Sequence, residues 1–358
     1  MANKSDKKEY DYDYIDTEFK FDITHGFKPE RLDVFLTNSI KNASRTKIKA
    51  AIDSGQALVN GQKAKASLKI KPGDYITCIV RKHPPIELIP ENIPLDVKYE
   101  DEYCLVVNKP AGMCSHPGVG NISGTLINAV LYHLGMREAI KVESEDEEEI
   151  SSEKLFASDE IRPGLVHRID KNTTGLLLVA KDPVTHAKLQ KQFKEHTTER
   201  FYYAIAWGNI KEDSGTIEGD IGRSPRNRKV FAVLKKGGKY AKTDYEVIER
   251  YGYLTLLRIK LWTGRTHQIR VHFSNRNNPL LGDPEYGGDK IVHGGSNPDF
   301  RRIAQKCLKL ATKQMLHARV LGFEHPHKAE FLSFSSDLPQ DMLEIIRILK
   351  EEYLEKII

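Results

Sequence analysis

Four closely spaced prolines divide this chain into two unequal parts. They fall within residues 82 to 94, at Pro84, Pro85, Pro90 and Pro94. Each proline removes a backbone N–H group and restricts the residue before it, so neither a helix nor a central strand can run through this stretch. The chain has 358 residues, which is enough for two well-packed cores. We therefore expect two domains, joined by a linker over residues 83–94.

Composition and short-range patterns argue against several classes of protein. Hydrophobic residues make up 39% of the chain and charged residues 29%, and apolar runs such as Leu176 to Ala180 are far too short to span a bilayer. The first residues lack the apolar centre of a secretory signal, which favours a cytoplasmic location. The four cysteines form no Cys-x-x-Cys pair, and the close histidine pairs lack flanking Glu or Cys. We expect no membrane span, no disulfide framework and no metal site.

The formal charge changes sign near the N-terminus. Residues 1–24 hold four Lys and seven Asp or Glu, a net charge of −3, whereas residues 25–82 hold twelve basic and four acidic residues, a net charge of +8. A boundary is expected there, and residues 1–24 are interpreted as a flexible lead or an edge strand without an assigned function. The basic segment suits a polyanionic partner, although a merely solvated basic face would have the same composition.

Residues 25–82 carry the pattern of two helices followed by a β-hairpin. Apolar residues have helical spacing from Arg31 to Leu36, and Ser44 can cap a second helix from Arg45 to Ser54. An Asn-Gly turn and a Gly-Asp turn then separate short apolar segments, which indicates a hairpin.

The motifs of this segment occur in a characteristic order: Arg-Leu-Asp, Ser-Arg, Ile-x-x-Gly-x-x-x-Val-Asn-Gly and Gly-Asp. In this order they resemble the small α/β RNA-binding domain named after ribosomal protein S four. The resemblance implies that the helix pair meets RNA phosphates. The residues carried over as RNA contacts are Arg31, Arg45, Lys47 and Lys49.

Two further segments of the larger part are predicted from charge and periodicity. Six of the seven residues from Glu143 to Glu149 are acidic, which predicts a solvated loop insertion over residues 141–160. Its charge would repel RNA, so we expect it to point away from the binding channel rather than to gate it. The C-terminal residues 341–358 have the pattern of an amphipathic helix that covers the core.

Residues Gly164 to Gly175 place a carboxylate and the potential cations His167 and Arg168 in a turn just ahead of an apolar run. By itself, Asp170 would most often be a turn or capping residue whose oxygens accept backbone N–H bonds. The alternative is a reactive Asp presented at the edge of a cleft. This segment alone does not decide between them.

Three later segments fit a binding cleft. The strand from Arg200 to Gly208 alternates so that Tyr202 and Tyr203 lie on opposite faces, and one of them should line the cleft. From Arg223 to Lys242 there are eight basic residues and no acidic one, which suits a phosphate-lined groove but also a solvated hairpin. The donors of Thr263 to His272 would serve a phosphate site or a buried ion pair with a distant Asp.

Six motifs, in order over roughly residues 25 to 340, resemble the pseudouridine synthases of the RluA and RluD type. They are Asn108-Lys109-Pro110-Ala111-Gly112, His167-Arg168-Ile169-Asp170-x-x-Thr-Thr-Gly, Arg200-x-Tyr202-x-Ala204, Gly238-Lys239-x-Ala241-x-Thr243, Gly264-Arg265-Thr266-His267-Gln268-Ile269-Arg270 and Gly282-Asp283-x-x-Tyr286-Gly287-Gly288. Ile169 and Thr174 stand where Leu and Ser are expected, and both keep the size or the hydroxyl.

The resemblance implies an α+β pseudouridine synthase fold over residues 95–340, with a mostly antiparallel mixed sheet in two halves and a central cleft. It implies isomerisation of uridine to pseudouridine in structured RNA. The reaction gains and loses no atoms, so no cofactor is expected. Large-subunit ribosomal RNA is the expected substrate, transfer RNA remains open, and a monomer is expected.

The resemblance also assigns roles to residues. Asp170 is the catalytic carboxylate, as nucleophile or base, Arg270 is its partner, and Tyr202 stacks on the uracil and suits proton transfer. The flipped base has to be held out of its stack, at a cost of a few kcal/mol. Residues assigned to base flipping or to support around the site are His167, Arg168, Arg265 and Thr174. The basic stretch adds the RNA-binding candidates Arg223, Arg226, Arg228 and Lys229.

Two other classes of function stay open at this point. One is an RNA chaperone or assembly factor that no longer turns over, against which Asp170, Tyr202 and Arg270 argue because all three are intact. The other is a carboxylate-based hydrolase of RNA or nucleosides. That enzyme would release free base or cut strands, whereas an isomerase leaves RNA of unchanged mass.

Overall fold

The computed structural model describes residues 15–40, 43, 45–82, 86–117, 121–142 and 164–354. The chain forms two compact units. Unit 1 comprises Met1–Ile89, Pro117–Ser123 and Glu138–Lys154; unit 2 comprises Pro90–His116, Gly124–Arg137 and Leu155–Ile358. Within the described ranges, every helix is too short or too polar to cross a membrane.

The regular elements follow in chain order. The first are β1 (Ile15–Asp22), β2 (Glu30–Arg31), α1 (Leu32–Ser39), α2 (Arg45–Asp53), β3 (Ala57–Val59), β4 (Gln62–Lys63), β5 (Lys69–Ile70), β6 (Tyr75–Lys82) and β7 (Ile86–Leu88). The next are β8 (Val97–Glu100), β9 (Cys104–Lys109), α3 (Leu126–His133), β10 (Ile140–Val142), β11 (Gly164–Leu165), β12 (Thr174–Ala180), α4 (Pro183–Glu195), β13 (Glu199–Trp207), β14 (Ser214–Arg223), β15 (Phe231–Leu234) and β16 (Lys239–Arg250). The last are β17 (Leu254–Leu261), α5 (Gln268–Asn275), α6 (Pro298–Leu310), β18 (Leu316–Glu324), β19 (Phe331–Ser335), α7 (Gln340–Leu349) and a π-helical turn (Lys350–Leu354).

Unit 1 packs α1 and α2 on a sheet with the strand order β1-β6-β3-β4. The helix pair and the hairpin are confirmed, because Asn60 and Gly61 both have positive φ between β3 and β4, as a tight two-residue turn requires. Residues 15–22 form an edge strand, which is one of the two alternatives for the N-terminal segment; residues 1–14 and Ser44 lie outside the described residues.

Two sequence-predicted boundaries of unit 1 differ from the structure. The predicted linker contains the short strand β7 between its first two prolines and Pro90, where a strand has no conflict with the proline rule. The predicted acidic loop begins later than residue 141, because Lys141 and Val142 belong to β10 and pair with β7. Its remaining residues, 143–160, lie outside the described ranges.

Unit 2 is built on one large sheet whose main path runs β15-β14-β16-β17-β13-β18-β12-β9-β8, with β11 on β12 and β19 on β18. All described pairings in it are antiparallel except that of β12 with β18, so the predicted mostly antiparallel mixed sheet is confirmed. The C-terminal segment is helical over its described residues, with α7 continuing directly into the π-helical turn, and it packs on α6 in a separate core.

The two halves of this sheet meet over only two residue pairs. Thr174 pairs with His317 and Gly175 with Ala318; beyond them β12 and β18 diverge, and Leu189 of α4 packs in the core between them. Gly175 has φ +118°, and a Cβ there would lie 2.2 Å from the carbonyl oxygen of Ala318, so the junction requires glycine. The segment that contains Asp170 ends at this junction.

Candidate active site

A cleft of about 300 Å³ opens in unit 2. It is lined by the segment between β11 and β12, the end of α4, the start of β13, and residues 261–270 between β17 and α5. It brings together six of the predicted site residues: His167, Arg168, Asp170, Tyr202, Arg265 and Arg270. Among the lining residues, Asp170 is the only carboxylate.

The Asp170 side chain does not cap its own turn. Main-chain groups close that turn, because the N–H of Thr173 donates to the carbonyl of Asp170 at 3.0 Å. The Oδ2 atom of Asp170 instead accepts from Nη1 of Arg270 at 3.1 Å, and 17% of the side chain stays exposed to the cleft. This contact argues for the reactive interpretation of Asp170 over the capping one.

Lys109 is a buried lysine that binds the chain next to Asp170. Its side chain is 1% exposed, and Nζ donates to the carbonyls of Pro110, Met113 and Lys171 at 2.8, 2.8 and 3.0 Å. Burial lowers the pKa of Lys109 to about 8, so the ammonium form is present at neutral pH. Sequence reasoning quoted Lys109 within a motif but gave it no role, although a lysine at the end of a buried strand is an unusual placement.

We expect Lys109→Met to destabilise the fold by about 2–4 kcal/mol, because three carbonyls, that of buried Met113 among them, lose their donor. Turnover should fall more than RNA affinity, since Asp170 lies one residue from the released carbonyl of Lys171. Urea unfolding and single-turnover kinetics would measure the two effects. A variant with unchanged stability would contradict the role of Lys109, and exposed Lys98→Met is the matched control.

Arg270 contacts two further carboxylates besides that of Asp170. It lies in α5 with 4% exposure, and it contacts the buried carboxylate of Asp283 through Nε and Nη2 at 2.7 and 2.9 Å. Nη2 also donates to Glu285. Burial opposes the charge of the guanidinium, but these carboxylates hold the pKa of Arg270 above its ordinary value. The sequence left open whether the donors of Thr263 to His272 form a phosphate site or a buried ion pair. At Arg270 the structure shows the buried ion pair.

The charge state of Asp170 is set by opposing effects. Burial acts to raise the pKa of Asp170, and the positive charges of His267, Arg270 and Arg168 hold it below its ordinary value of 3.8. His267 is itself neutral at pH 7, because burial lowers its pKa, so Arg270 supplies the counter-charge there. His267 also lies in the left-handed region at φ 55°, and the sequence analysis gave it no role. Asp170 is thus an ionised carboxylate in a confined cleft.

Tyr202 presents its ring to the same cleft. It lies on β13, is 5% exposed, and pairs with Ile259 of β17 and Ala318 of β18. The register with β18 shifts between Phe201 and Tyr202 because β18 carries the extra residue Arg319, whereas the pairing of β13 with β17 is regular there. Burial raises the pKa of Tyr202, so the phenol keeps its proton at neutral pH. The prediction that one of the two neighbouring tyrosines lines the cleft is confirmed.

Comparison with known proteins identifies the family. Residues 103–275 match the model of the RNA pseudouridylate synthases, and residues 30–76 match that of the S4 domain. An RNA pseudouridine synthase of Chlorobaculum parvum is 43% identical over 327 residues, covering 90% of this chain and 94% of the relative. The chain belongs to the RNA pseudouridine synthase family.

Other pseudouridine synthases agree with this placement. Ribosomal large subunit pseudouridine synthase D of Neisseria meningitidis is 37% identical over 323 residues, covering 90% of this chain and 79% of the relative. Among solved structures, human RNA pseudouridylate synthase domain containing 4 superposes with a TM-score of 0.51 at 22% identity, covering 71% of this chain and 92% of that chain. The expected pseudouridine synthase fold is confirmed.

His167 and Arg168, the two predicted base-flipping residues, differ in character. His167 is half-buried, accepts from the N–H of Leu178 at 3.1 Å, and stacks on Phe193 with ring centroids 4.7 Å apart. Burial lowers the pKa of His167 to about 3, so it carries no charge at neutral pH. Arg168 is exposed and lines the cleft, which leaves it as the charged candidate of the pair.

The remaining predicted residues of this pseudouridine synthase lie outside the centre of the cleft. Arg265 is exposed at the rim, with Nε donating to the carbonyl of Tyr240 at 2.9 Å. Thr174 bonds to His317 across the sheet junction and does not line the cleft. The basic hairpin also lies apart, although the N–H of Phe231 in it donates to Tyr286, whose ring lies under Arg270. Its candidates are Arg223, Arg226, Arg228 and Lys229.

The RNA-contact candidates of unit 1 lie at its helix pair. Arg31 pairs with Asp33 through two bonds of 2.9 Å, and Arg45 approaches the same carboxylate at 3.7 Å with 69% of its side chain exposed. Lys49 is exposed, and Lys47 is partly exposed. Arg31 is therefore partly neutralised, whereas Arg45 and Lys49 present their charge to solvent.

One group in the described chain has the residue types of a metal site: Asp101, Cys104 and His325. The Lys328 ammonium lies 2.8 Å from Asp101, and this carboxylate also accepts from the N–H of Cys104 and from His325. A cation would have to displace the lysine. The geometry favours a structural network that links the turn at Asp101 to the turn at His325 within unit 2.

Proposed function

We propose that this pseudouridine synthase modifies specific uridines of large-subunit ribosomal RNA, by base flipping and an Asp170-dependent break and re-formation of the glycosidic bond. The observation that carries the proposal is the contact of Asp170 with Arg270 in a cleft that Tyr202 also lines. The name of the Neisseria relative, a ribosomal large subunit pseudouridine synthase, supports this choice of substrate, and transfer RNA is the alternative.

The reaction needs a group that acts on the ribose or the base while water is kept out. The bond from the ribose to nitrogen 1 of uracil breaks, the base turns, and carbon 5 bonds to the ribose; the proton of carbon 5 is lost and nitrogen 1 gains one. An ionised Asp170 suits either attack on the ribose or removal of a proton. The protonated phenol of Tyr202 suits stacking and orientation of the uracil, because its raised pKa makes it a weak source of phenolate.

The flipped uridine also has to be held outside its stack. Arg168 is placed to do this, since it is two residues from Asp170 and its guanidinium can stack where the base was. We propose further that the enzyme works without a cofactor, as a monomer, in the cytoplasm.

Release of tritium from carbon 5 of uridine tests the proposal. The full chain is incubated with labelled transcripts of large-subunit ribosomal RNA and of transfer RNA, and pseudouridine is mapped in RNA from cells with and without the gene. Tritium release from the ribosomal transcript, with sites lost from that RNA in the mutant cells, is the expected result. Free uracil or cut strands would instead support a hydrolase.

We expect neutral substitutions on the helix pair of unit 1 to weaken RNA binding without changing the chemical step. In Arg45→Gln with Lys49→Gln, two exposed charges are lost, and the slope of log Kd against log salt should fall by about 0.7–0.9 for each phosphate contact removed. Filter binding at several salt concentrations measures the slope, and single-turnover kinetics at saturating RNA measures the step. Equal losses in RNA affinity and in the rate of the chemical step would contradict the assignment of binding to unit 1 and of chemistry to unit 2. Lys191→Gln is the control.

A further inference from the structure

Arg200 is a buried cation in the cleft with few partners. It stands at the start of β13 with 7% exposure. Its Nη2 atom donates to the carbonyl of Leu261 at 3.3 Å, and its Nε atom has no hydrogen-bond partner within the described part of the chain. Among the residues that the structure describes, no carboxylate lies within ion-pair distance of it. The family motifs include Arg200, but no role was assigned to it from the sequence.

The described residues around Arg200 do not compensate its charge. The ring of Phe193 covers one face of the guanidinium at 5.0 Å, and the neighbouring His167 is neutral. Burial lowers the pKa of Arg200, but an arginine stays protonated at any physiological pH. A buried charge without a counter-ion is costly, and that cost is relieved when an anion enters the site.

The position of Arg200 indicates which anion would enter. Arg200 and Tyr202 are two residues apart on one strand, so they share a face and their Cα atoms lie roughly 7 Å apart. A side chain at Gly264 would come within 3.9 Å of Nη1, which places this end of the guanidinium beside the loop that lines the cleft. Arg168, Lys194 and Arg265 add positive charge to the cleft, and Asp170 is already paired.

We propose that Arg200 binds a phosphodiester of the RNA backbone next to the uridine that stacks on Tyr202. The proposal rests on the proposed function, because it places the reacting base at Tyr202. A bound phosphate would be the negatively charged partner that Arg200 lacks among the described residues. A guanidinium binds a phosphate through two parallel N–H bonds. Arg200 thereby determines which nucleotide of the RNA strand lies at Tyr202.

The test compares Arg200→Met, Arg200→Lys and wild type on the same tritiated ribosomal transcript, with exposed Arg347→Met as the control. For Arg200→Met we expect KM to rise roughly 10- to 100-fold and the slope of log Kd against log salt to fall by about 0.7. Arg200→Lys should be intermediate, because it keeps the charge without the two-point contact. The melting temperature of free Arg200→Met should equal or exceed that of wild type, because an unpaired buried charge has been removed.

Two results would overturn the proposal. One is a KM and a salt slope for Arg200→Met that equal those of wild type. The other is a lower melting temperature for free Arg200→Met, since the guanidinium would then serve the fold. Failure of the proposed function has a different signature, because wild type would then release no tritium, while the salt slope of binding would still report on Arg200.

Discussion

Asp170→Asn is expected to lower the rate of pseudouridine formation by on the order of 10⁴-fold or more, because Asn can neither attack the ribose nor remove a proton. RNA affinity should stay within a few-fold, since positive side chains and not Asp170 dominate binding. Stability should change by less than about 1 kcal/mol, because Arg270 keeps Asp283 and Glu285 as partners.

Tritium release, filter binding and urea unfolding measure these three quantities on one preparation. Asp220→Asn, on β14 outside the lining of the cleft, is the matched control. Turnover retained by Asp170→Asn would remove this residue from the chemistry. An accumulated adduct with RNA containing 5-fluorouridine in wild type, absent in the variant, would favour attack over base catalysis.

Arg270→Met is expected to destabilise the catalytic unit by about 3–5 kcal/mol and to impair turnover. The carboxylate of Asp283 has 0% exposure, and it would be left without its guanidinium partner. Urea unfolding measures the loss. The double variant Arg270→Met with Asp283→Leu is the control for burial, because it removes both charges and should recover part of the stability without recovering activity.

The single variant Arg270→Met should also change the pH dependence of turnover. In wild type the pKa of Asp170 is lowered, so the ionised form and the stability it contributes are present above about 3.8 and are lost as the pH falls through the folded-state pKa. Without Arg270, burial acts with less opposition and raises the pKa of Asp170. The acid limb of kcat/KM should therefore move to higher pH. An unmoved limb would mean that Asp170 does not control it.

Patterns along the chain predicted the elements of this fold better than the roles of side chains. The helix pair and the Asn-Gly turn of unit 1 and the alternation of β13 are local effects of turn geometry and apolar spacing, and all three are observed. The family motifs predicted the pairing of Asp170 with Arg270 across 100 residues of sequence. Residue spacing alone left that pairing open, because it depends on how strands meet.

Other features of the site depend on burial, which a single sequence does not specify. His167 looked like a second cation beside Arg168, but burial, together with the positive charge of Arg200, lowers its pKa and keeps it neutral. Lys109 and Arg200 stand in family motifs, but their burial, which suggests their roles, is visible only in the structure. Thr174 looked like a neighbour of Asp170, but it bonds across the sheet junction to His317.

The surplus of carboxylates around Arg270 has an evolutionary consequence. Because Asp283 and Glu285 already satisfy the guanidinium, the fold does not depend on Asp170 for its integrity. A duplicated gene that lost this carboxylate by one substitution would still yield a folded protein with an intact cleft and basic surface. The architecture thus leaves a short mutational path from a modifying enzyme to a descendant that only binds RNA.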